Sequence, residues 1–427
     1  MDINKVAVYG LGYIGLPTAI LLSSRGVTVR GVDPDERVIE SVNSGKMHIV
    51  EPGLAGYLKK AVDEGKLSAG KEPEEADAFI IAVPTPFMEG HKPDLSYVKA
   101  AAKSMAPVLR KGNVIILEST SPVGATEQLA EWLAAERPDL TFPQTAGEDA
   151  DIQIAYCPER VLPGKVAHEM VENDRIMGGL SKKAGEMAAA VYKVFVTGDI
   201  ALTDARTAEM CKLTENSFRD VNIAFANELS IICEKLGVNV WELIKLANRH
   251  PRVKILNPGC GVGGHCIAVD PWFIVDACPD EAKLIGMARE VNDYKPAFVV
   301  AKVKKAIDEF LAENPDKKIE DVVVACLGLA FKPDIDDLRE SPAIAIARSL
   351  AAEGARILAV EPNIARLPEY LATEGVALAT LPEALKLADV IVINTGHKEF
   401  TANIDKICSR PHVINNICDT TGELGRR

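Results

Sequence analysis

The sequence predicts an α/β protein made of two doubly wound, Rossmann-like domains joined by a long central helical region. Three observations carry this reading. At the start of the chain, short Val/Ile/Ala-rich runs (KVAVYG, VTVRGVD, AFIIAVP, NVIILEST) alternate with helix-length stretches such as LPTAILLSSRG. Strands this apolar suit a parallel sheet covered on both faces. From Lys318 the pattern returns as DVVVACLG, ARILAVEP and ADVIVINTGH, with Ser341-Pro342 marking a helix start between the first two, since serine caps and proline fits the first turn. Between these regions, Asp204 to Gly237 contains no proline and a single, terminal glycine, and reads as one or two long helices closed by Gly237. The expected domains are residues 1–203, 204–317 and 318–427.

Composition narrows the function. The chain has 427 residues, 48 of them Lys or Arg against 61 Asp or Glu, a formal charge of −13. A phosphate-backbone binder needs clustered cations, so a nucleic-acid partner is not expected, whereas an anionic small molecule held by local Arg and Lys is. No apolar run reaches the roughly 18 residues that span a bilayer, and the first residues carry no secretory pattern. A cytoplasmic protein without a membrane partner is expected. Nine scattered cysteines with no CxxC pair suit reduced thiols better than a disulfide framework.

The strand KVAVY runs into Gly10-Leu-Gly12-Tyr-Ile-Gly15, and the second strand ends at Asp33, 18 residues beyond Gly15. Gly10 permits the tight turn, Gly12 lets backbone approach a pyrophosphate, and Gly15 allows close packing of helix on strand. The helix N-terminus then presents free N–H groups to phosphate. Asp33 would bind ribose hydroxyls and repel a 2′-phosphate, which favours NAD; Arg30 and Arg37 leave NADP open, because either could pair with that phosphate. The second domain repeats a strand ending in an acid, Glu361, but its turn is Gly328-Leu-Ala-Phe-Lys-Pro. Lys332 there suits a substrate phosphate.

The segment Pro258 to Pro271 places glycines around Cys266, with Asp270 four residues on. Such glycine density brings backbone close to a ligand, and a thiol followed by a carboxylate suggests a nucleophile with a polar helper. A glycine-rich turn with an inert thiol is the plainer alternative. A zinc site from Cys260, His265 and Cys266 is a third, but adjacent His-Cys ligands fit no usual spacing, and no metal is expected. Lys212, Asn216 and Arg219 fall along one helical face, which is either solvated surface or a row of donors for a pyrophosphate.

GLGYIG at 10–15, VPTP at 83–86, EST at 118–120, PER at 158–160, Lys212 with Asn216, GVGGHCIAVDP at 261–271 and FKPD with Arg339 occur in family order along the whole chain. Together they resemble the UDP-glucose/GDP-mannose dehydrogenase family. The resemblance implies an enzyme that oxidises a primary alcohol at C6 of a UDP-sugar to a carboxylate, using two NAD and one water through a Cys266 thiohemiacetal and thioester. It implies catalytic roles for Cys266, Lys212, Asn216, Asp270 and Glu159. For the cofactor it adds Tyr13, Ile14, Arg37, Thr85, Thr120, Thr126 and Arg339 to the glycines and Asp33. For the substrate it implies Arg160, Val161, Gly263, Phe331 and Lys332, with His250 and Arg252 reaching toward a neighbouring subunit; Arg219 is added from the helix stripe. A homodimer through the central helices is implied as well. Val262, His265, AVDP at 268–271 and NRHPRV at 248–253 resemble the acetamido-sugar members of that family, and this resemblance implies UDP-N-acetyl-D-mannosamine first, with UDP-N-acetylglucosamine or UDP-glucose as alternatives. A catalytically inactive nucleotide-sugar-binding regulator is the rival from a different class.

Overall fold

The computed structural model describes residues 3–49, 51–161, 164–264 and 266–417. It forms two compact units, Met1–Glu215 and Asn216–Arg427. The first contains the strands β1 (Lys5–Tyr9), β2 (Thr28–Val32), β3 (Leu67–Gly70), β4 (Ala78–Ile81), β5 (Val114–Leu117), β6 (Gln153–Tyr156), β7 (Arg175–Gly179) and β8 (Ile200–Asp204). They make one sheet in the order β3-β2-β1-β4-β5-β6-β7-β8. All pairings are parallel except β6 with β7.

Alternation along β1 shows why its sequence is apolar throughout. Val6 and Val8 enter one core with Leu16, Ile20 and Tyr192, while Ala7 and Tyr9 enter the opposite core with Phe79, Leu129 and Leu133. Successive side chains point to opposite faces, so a strand covered on both sides can spare no polar position. Each fully buried Val, Ile or Leu contributes roughly 1.5–3 kcal/mol. The order of strands reverses between β1 and β4, which opens a crevice at their carboxyl ends.

The second unit repeats the plan with β9 (Val323–Leu327), β10 (Arg356–Val360), β11 (Val376–Leu378), β12 (Val390–Ile393) and β13 (Val413–Asn415). Their order is β11-β10-β9-β12-β13, all parallel. Val324 and Cys326 pack against Val299 and Val303 of the helix Lys283–Glu313, and Ala325 and Leu327 against Phe400 and Ile407 on the other face. The two doubly wound sheets expected from the sequence are thus present.

The long helix is a single element, Ala205–Leu236, closed by Gly237 at φ +67°, a left-handed conformation that favours glycine. It ends the first unit and begins the second. Ser341 does precede the helix Pro342–Ala352, but its hydroxyl makes no cap and lies buried without a partner. The helix start therefore rests on Pro342, whose fixed φ suits a first turn. Among the described residues no cysteine is held in a disulfide, and no helix is long and apolar enough to cross a membrane.

Candidate active site

In the first unit, Gly10 leaves β1 at φ +83° and donates its N–H to the Val32 carbonyl at 2.9 Å. A Cβ at Gly10 would stand 2.5 Å from the Ala82 oxygen, and one at Gly15 1.8 Å from the Gly10 oxygen. No side chain fits at either position, so the helix Gly15–Ser24 starts directly against the strand. At Gly12 a Cβ would meet nothing within 4 Å, which leaves the backbone open to a ligand. Tyr13 and Ile14 complete the turn, with Tyr13 exposed. Asp33 accepts the Leu11 N–H at 2.9 Å on one carboxylate oxygen and the Asp35 N–H at 2.9 Å on the other. These contacts aim a half-buried carboxylate at the crevice. Turn, helix start and acid together fit a dinucleotide.

The two arginines that left NADP open both have carboxylate partners. Arg30 donates to the Glu72 carbonyl at 3.2 Å and to Ser68 Oγ at 3.4 Å, and pairs with Glu74. Arg37 is highly exposed and pairs with Asp35 at 2.8 Å. Thr85 donates its hydroxyl to the Thr120 carbonyl at 2.5 Å, tying together the segments that follow β4 and β5. Thr126 is fully buried and gives its hydroxyl to Glu209 at 2.6 Å. Glu209 also accepts the N–H groups of Gly124 and Thr126 at 2.6 and 2.8 Å, so it pins the N-terminus of the helix Ala125–Glu136 to the long helix. Burial raises the Glu209 carboxyl above the usual range against these donors.

Glu159 and Lys212 meet in the same unit. The buried Lys212 ammonium donates to the Glu159 carbonyl oxygen at 2.7 Å and lies 4.0 Å from its carboxylate. Glu159 in turn accepts the Val161 N–H. Burial raises the Glu159 carboxyl even with the Lys212 charge beside it, as suits a group that exchanges a proton. Arg160 forms a two-pronged pair with Glu215 at 2.7 and 3.1 Å and donates to the Asp174 carbonyl.

Behind Glu159 lies a buried cluster the sequence did not flag. Glu118, of the EST motif, faces Arg175 at 3.4 Å, and Arg175 also reaches Cys157 and the Met170 carbonyl. Burial pushes Glu118 up to about 7 against the pull of Arg175. Arg175 opens β7, where strand propensity alone gives no signal of a buried cation.

The second unit holds the cysteine segment. Cys266 is exposed, and its carbonyl accepts the N–H groups of Val269 at 3.3 Å and Asp270 at 2.9 Å. One backbone turn thus separates the thiol from Asp270, which is buried and opens the helix Asp270–Ala277. Asn216 donates its side-chain amide to Asp270 Oδ2 at 2.5 Å. On the long helix, Asn216 stands one turn after Lys212 on the same face. His265, part of the zinc alternative, lies outside the described residues; Cys260 is buried and turns its thiol to the Asn394 carbonyl at 3.5 Å.

The glycines before Cys266 press on the segment that follows β9. A Cβ at Gly263 would fall 2.5 Å from the Glu340 oxygen and 2.7 Å from Phe331 Cβ, and Gly264, at φ +81°, lies under the Phe331 ring. Gly264 donates its N–H to the Arg339 carbonyl at 3.0 Å. Gly263, Phe331 and Arg339 are therefore brought together, with Lys332 exposed next in the chain. The Arg339 guanidinium pairs with Asp337 at 2.6 Å. Arg219, His250 and Arg252 are all exposed, on the long helix and after the helix Val240–Ala247.

Glu361, at the end of β10, accepts the N–H groups of Leu329 and Ala330 at 2.8 and 2.9 Å and contacts buried His397 Nε2 at 2.9 Å. Burial opposes its charge, yet the His397 bond and the two backbone donors hold the carboxyl down at about 2. The sequence pointed to Glu361 as the counterpart of Asp33 but gave no sign of His397.

Known proteins share this arrangement along nearly the full chain. Residues 4–196, 206–294 and 325–422 match the NAD binding, central and UDP binding domains of the UDP-glucose/GDP-mannose dehydrogenase family. A UDP-N-acetyl-D-mannosamine dehydrogenase of Campylobacter jejuni is 60% identical over 95% of this chain and 98% of its own. An NDP-N-acetyl-D-galactosaminuronic acid dehydrogenase of Ralstonia nicotianae is 56% identical over 96% of this chain and 95% of its own. The solved UDP-D-ManNAc dehydrogenase of Pyrococcus horikoshii superposes with a TM-score of 0.84 at 40% identity, over 96% of this chain and 95% of that one. With its dinucleotide turn, its thiol loop and these matches, the chain belongs to the UDP-glucose/GDP-mannose dehydrogenase family.

Proposed function

We propose that this chain oxidises the C6 alcohol of UDP-N-acetyl-D-mannosamine to the carboxylate, consuming two NAD and one water per turnover. The observation that carries the reading is exposed Cys266 one turn ahead of buried Asp270, whose carboxylate receives Asn216 at 2.5 Å. Oxidation of the alcohol gives an electrophilic aldehyde, to which the Cys266 sulfur adds, forming a C–S bond and a thiohemiacetal that keeps the half-oxidised sugar in place. Oxidation of that adduct gives a thioester. Water attacks its carbonyl carbon, the C–S bond breaks, and the acid leaves with the thiol restored. NAD, held by the Gly10–Gly15 turn and Asp33, would supply the hydride acceptor for both oxidations.

The chain's own groups move the protons. Asn216 places the water and Asp270 takes its proton, while Lys212 stabilises developing oxyanion charge and Glu159 exchanges a proton. Gly10, Gly12, Tyr13, Ile14, Gly15 and Asp33 hold the dinucleotide, supported by Arg37, Thr85, Thr120, Thr126 and Arg339. Arg160, Val161, Arg219, Gly263, Phe331 and Lys332 hold the nucleotide sugar, with the Lys332 ammonium on its diphosphate. The division into residues 1–203, 204–317 and 318–427 assigns these tasks to a cofactor, a central and a UDP-sugar domain, in the cytoplasm.

A homodimer belongs to the same reading. Phe218, Phe225, Ile232 and Leu236 are exposed on the long helix at intervals of seven, seven and four residues, a single apolar stripe. A second copy covering it would bring His250 and Arg252 toward the partner's substrate.

Comparing UDP-N-acetyl-D-mannosamine, its gluco and galacto epimers and UDP-glucose tests the proposal. Two NADH per sugar, with the highest kcat/KM for the manno epimer, is expected. A higher value for another sugar overturns the choice of epimer, and no NADH from any of them leaves the regulator reading in its place.

A further inference from the structure

Helices on both sides of the cysteine segment grip it through a buried polar chain. Asp220, fully buried on the long helix, accepts Arg289 Nη1 at 2.7 Å and Asn292 Nδ2 at 2.8 Å. Arg289, itself buried, reaches from the same Nη1 to the Ile267 carbonyl at 3.4 Å and donates through Nη2 to Asp293. Ile267 is the residue next to Cys266. Asn292 Oδ1 accepts Asn227 Nδ2 at 2.9 Å, and Asn227 Oδ1 accepts the Gly259 N–H at 2.9 Å. One continuous network thus runs from the backbone before Cys266 to the backbone just after it.

We infer that Asp220, Arg289, Asn292 and Asn227 are positioning residues that hold the backbone at Gly259 and at Ile267, on either side of Cys266, so that its thiol is presented. A buried ion pair is retained at a desolvation cost, and apolar residues of similar size would pack these helices without it. What apolar residues lack is donors and acceptors for the Gly259 N–H and the Ile267 carbonyl. Arg289 supplies a planar fork, Nη1 to Asp220 and the Ile267 carbonyl and Nη2 to Asp293, which lysine does not reproduce. The inference rests on Cys266 being the reacting thiol, but the grip on its backbone is measurable without turnover.

The test uses the full-length protein carrying Arg289→Gln or Asn227→Ala. The second leaves the Asp220–Arg289 ion pair intact and removes the acceptor of the Gly259 N–H together with the donor to Asn292 Oδ1. Amide hydrogen exchange over residues 259–270 is expected to rise at least tenfold in Arg289→Gln and at least threefold in Asn227→Ala, with exchange in β9–β13 unchanged. With the substrate proposed above, kcat is expected to fall at least tenfold in Arg289→Gln, while KM for NAD stays within twofold. Unchanged exchange at 259–270 in a folded Asn227→Ala overturns the grip, whatever happens to Arg289→Gln. Raised exchange with unchanged kcat in folded Arg289→Gln overturns its role in presenting the thiol. If Cys266→Ser itself forms acid at the normal rate, the chemical reading fails, and the exchange result still decides whether the network holds the segment.

Discussion

In the first unit Gly10 donates to the Val32 carbonyl and the Leu11 N–H falls on Asp33; in the second, Gly328 donates to the Val360 carbonyl and the Leu329 and Ala330 N–H groups fall on Glu361. Strand, left-handed glycine and acid are the same in both turns. The chain beyond each glycine differs. The first helix starts at Gly15, five residues after Gly10, whereas 14 residues separate Gly328 from Pro342. Asp33 stays half-buried beside the open Gly12 backbone, but Glu361 is 4% exposed and closed over by His397. A glycine turn ending in an acid is therefore a scaffold, and only an adjacent helix start with an accessible carboxylate makes it a dinucleotide site. The longer second turn is released to carry Phe331 against Gly263 and Gly264, with Lys332 exposed beside it.

Gly15 is the position where the contrast between the turns breaks most severely. In Gly15→Ala the new methyl would meet the Gly10 oxygen, and NAD binding is expected to weaken about a hundredfold, roughly 3 kcal/mol. Titration of NAD against the purified variant measures this, and affinity within twofold of the parent would show that the turn does not need the close approach.

Breaking the second turn changes stability rather than cofactor binding. The Glu361 carboxyl is held at about 2 instead of 4.5, so the ionised form is favoured by folding, by roughly 3 kcal/mol. That stability is fully present above the unfolded value and is lost as pH falls from 4.5 toward 2. Glu361→Gln should therefore melt below the parent near neutral pH and converge with it in acid, with NAD affinity unchanged. A gap that persists unchanged down to pH about 2 contradicts the assigned ionisation.

The smallest effect sharpens the first turn. Asp33→Asn keeps an acceptor for the Leu11 N–H and removes the charge that repels a 2′-phosphate. The ratio of NADP to NAD kcat/KM should rise about tenfold, roughly 1.4 kcal/mol. An unchanged ratio would remove Asp33 from cofactor choice.

Much of this contrast is readable from the sequence alone, because both turns are local. Glycine spacing, apolar strands and a terminal acid lie within a few dozen residues, and the long helix announces itself through its closing Gly237. The Cys266-to-Asp270 turn is legible for the same reason. The features that the sequence hides depend on distant partners. His397 meets Glu361 across 36 residues, Arg175 meets Glu118 across 57, and Arg289 meets Asp220 across 69. A lone buried Arg or His has no periodicity to betray it, since its position is set by the packing of separate elements. Ser341 fails in the opposite sense: its local cap signal is correct in place, yet the hydroxyl does not bond.

The most direct test of the account is product analysis with Cys266→Ser under excess NAD. We expect no detectable uronate and at most slow formation of aldehyde with one NADH per sugar, against uronate and two NADH for the parent. Uronate released by the serine variant at the parental rate would contradict a mechanism that holds the aldehyde on this sulfur.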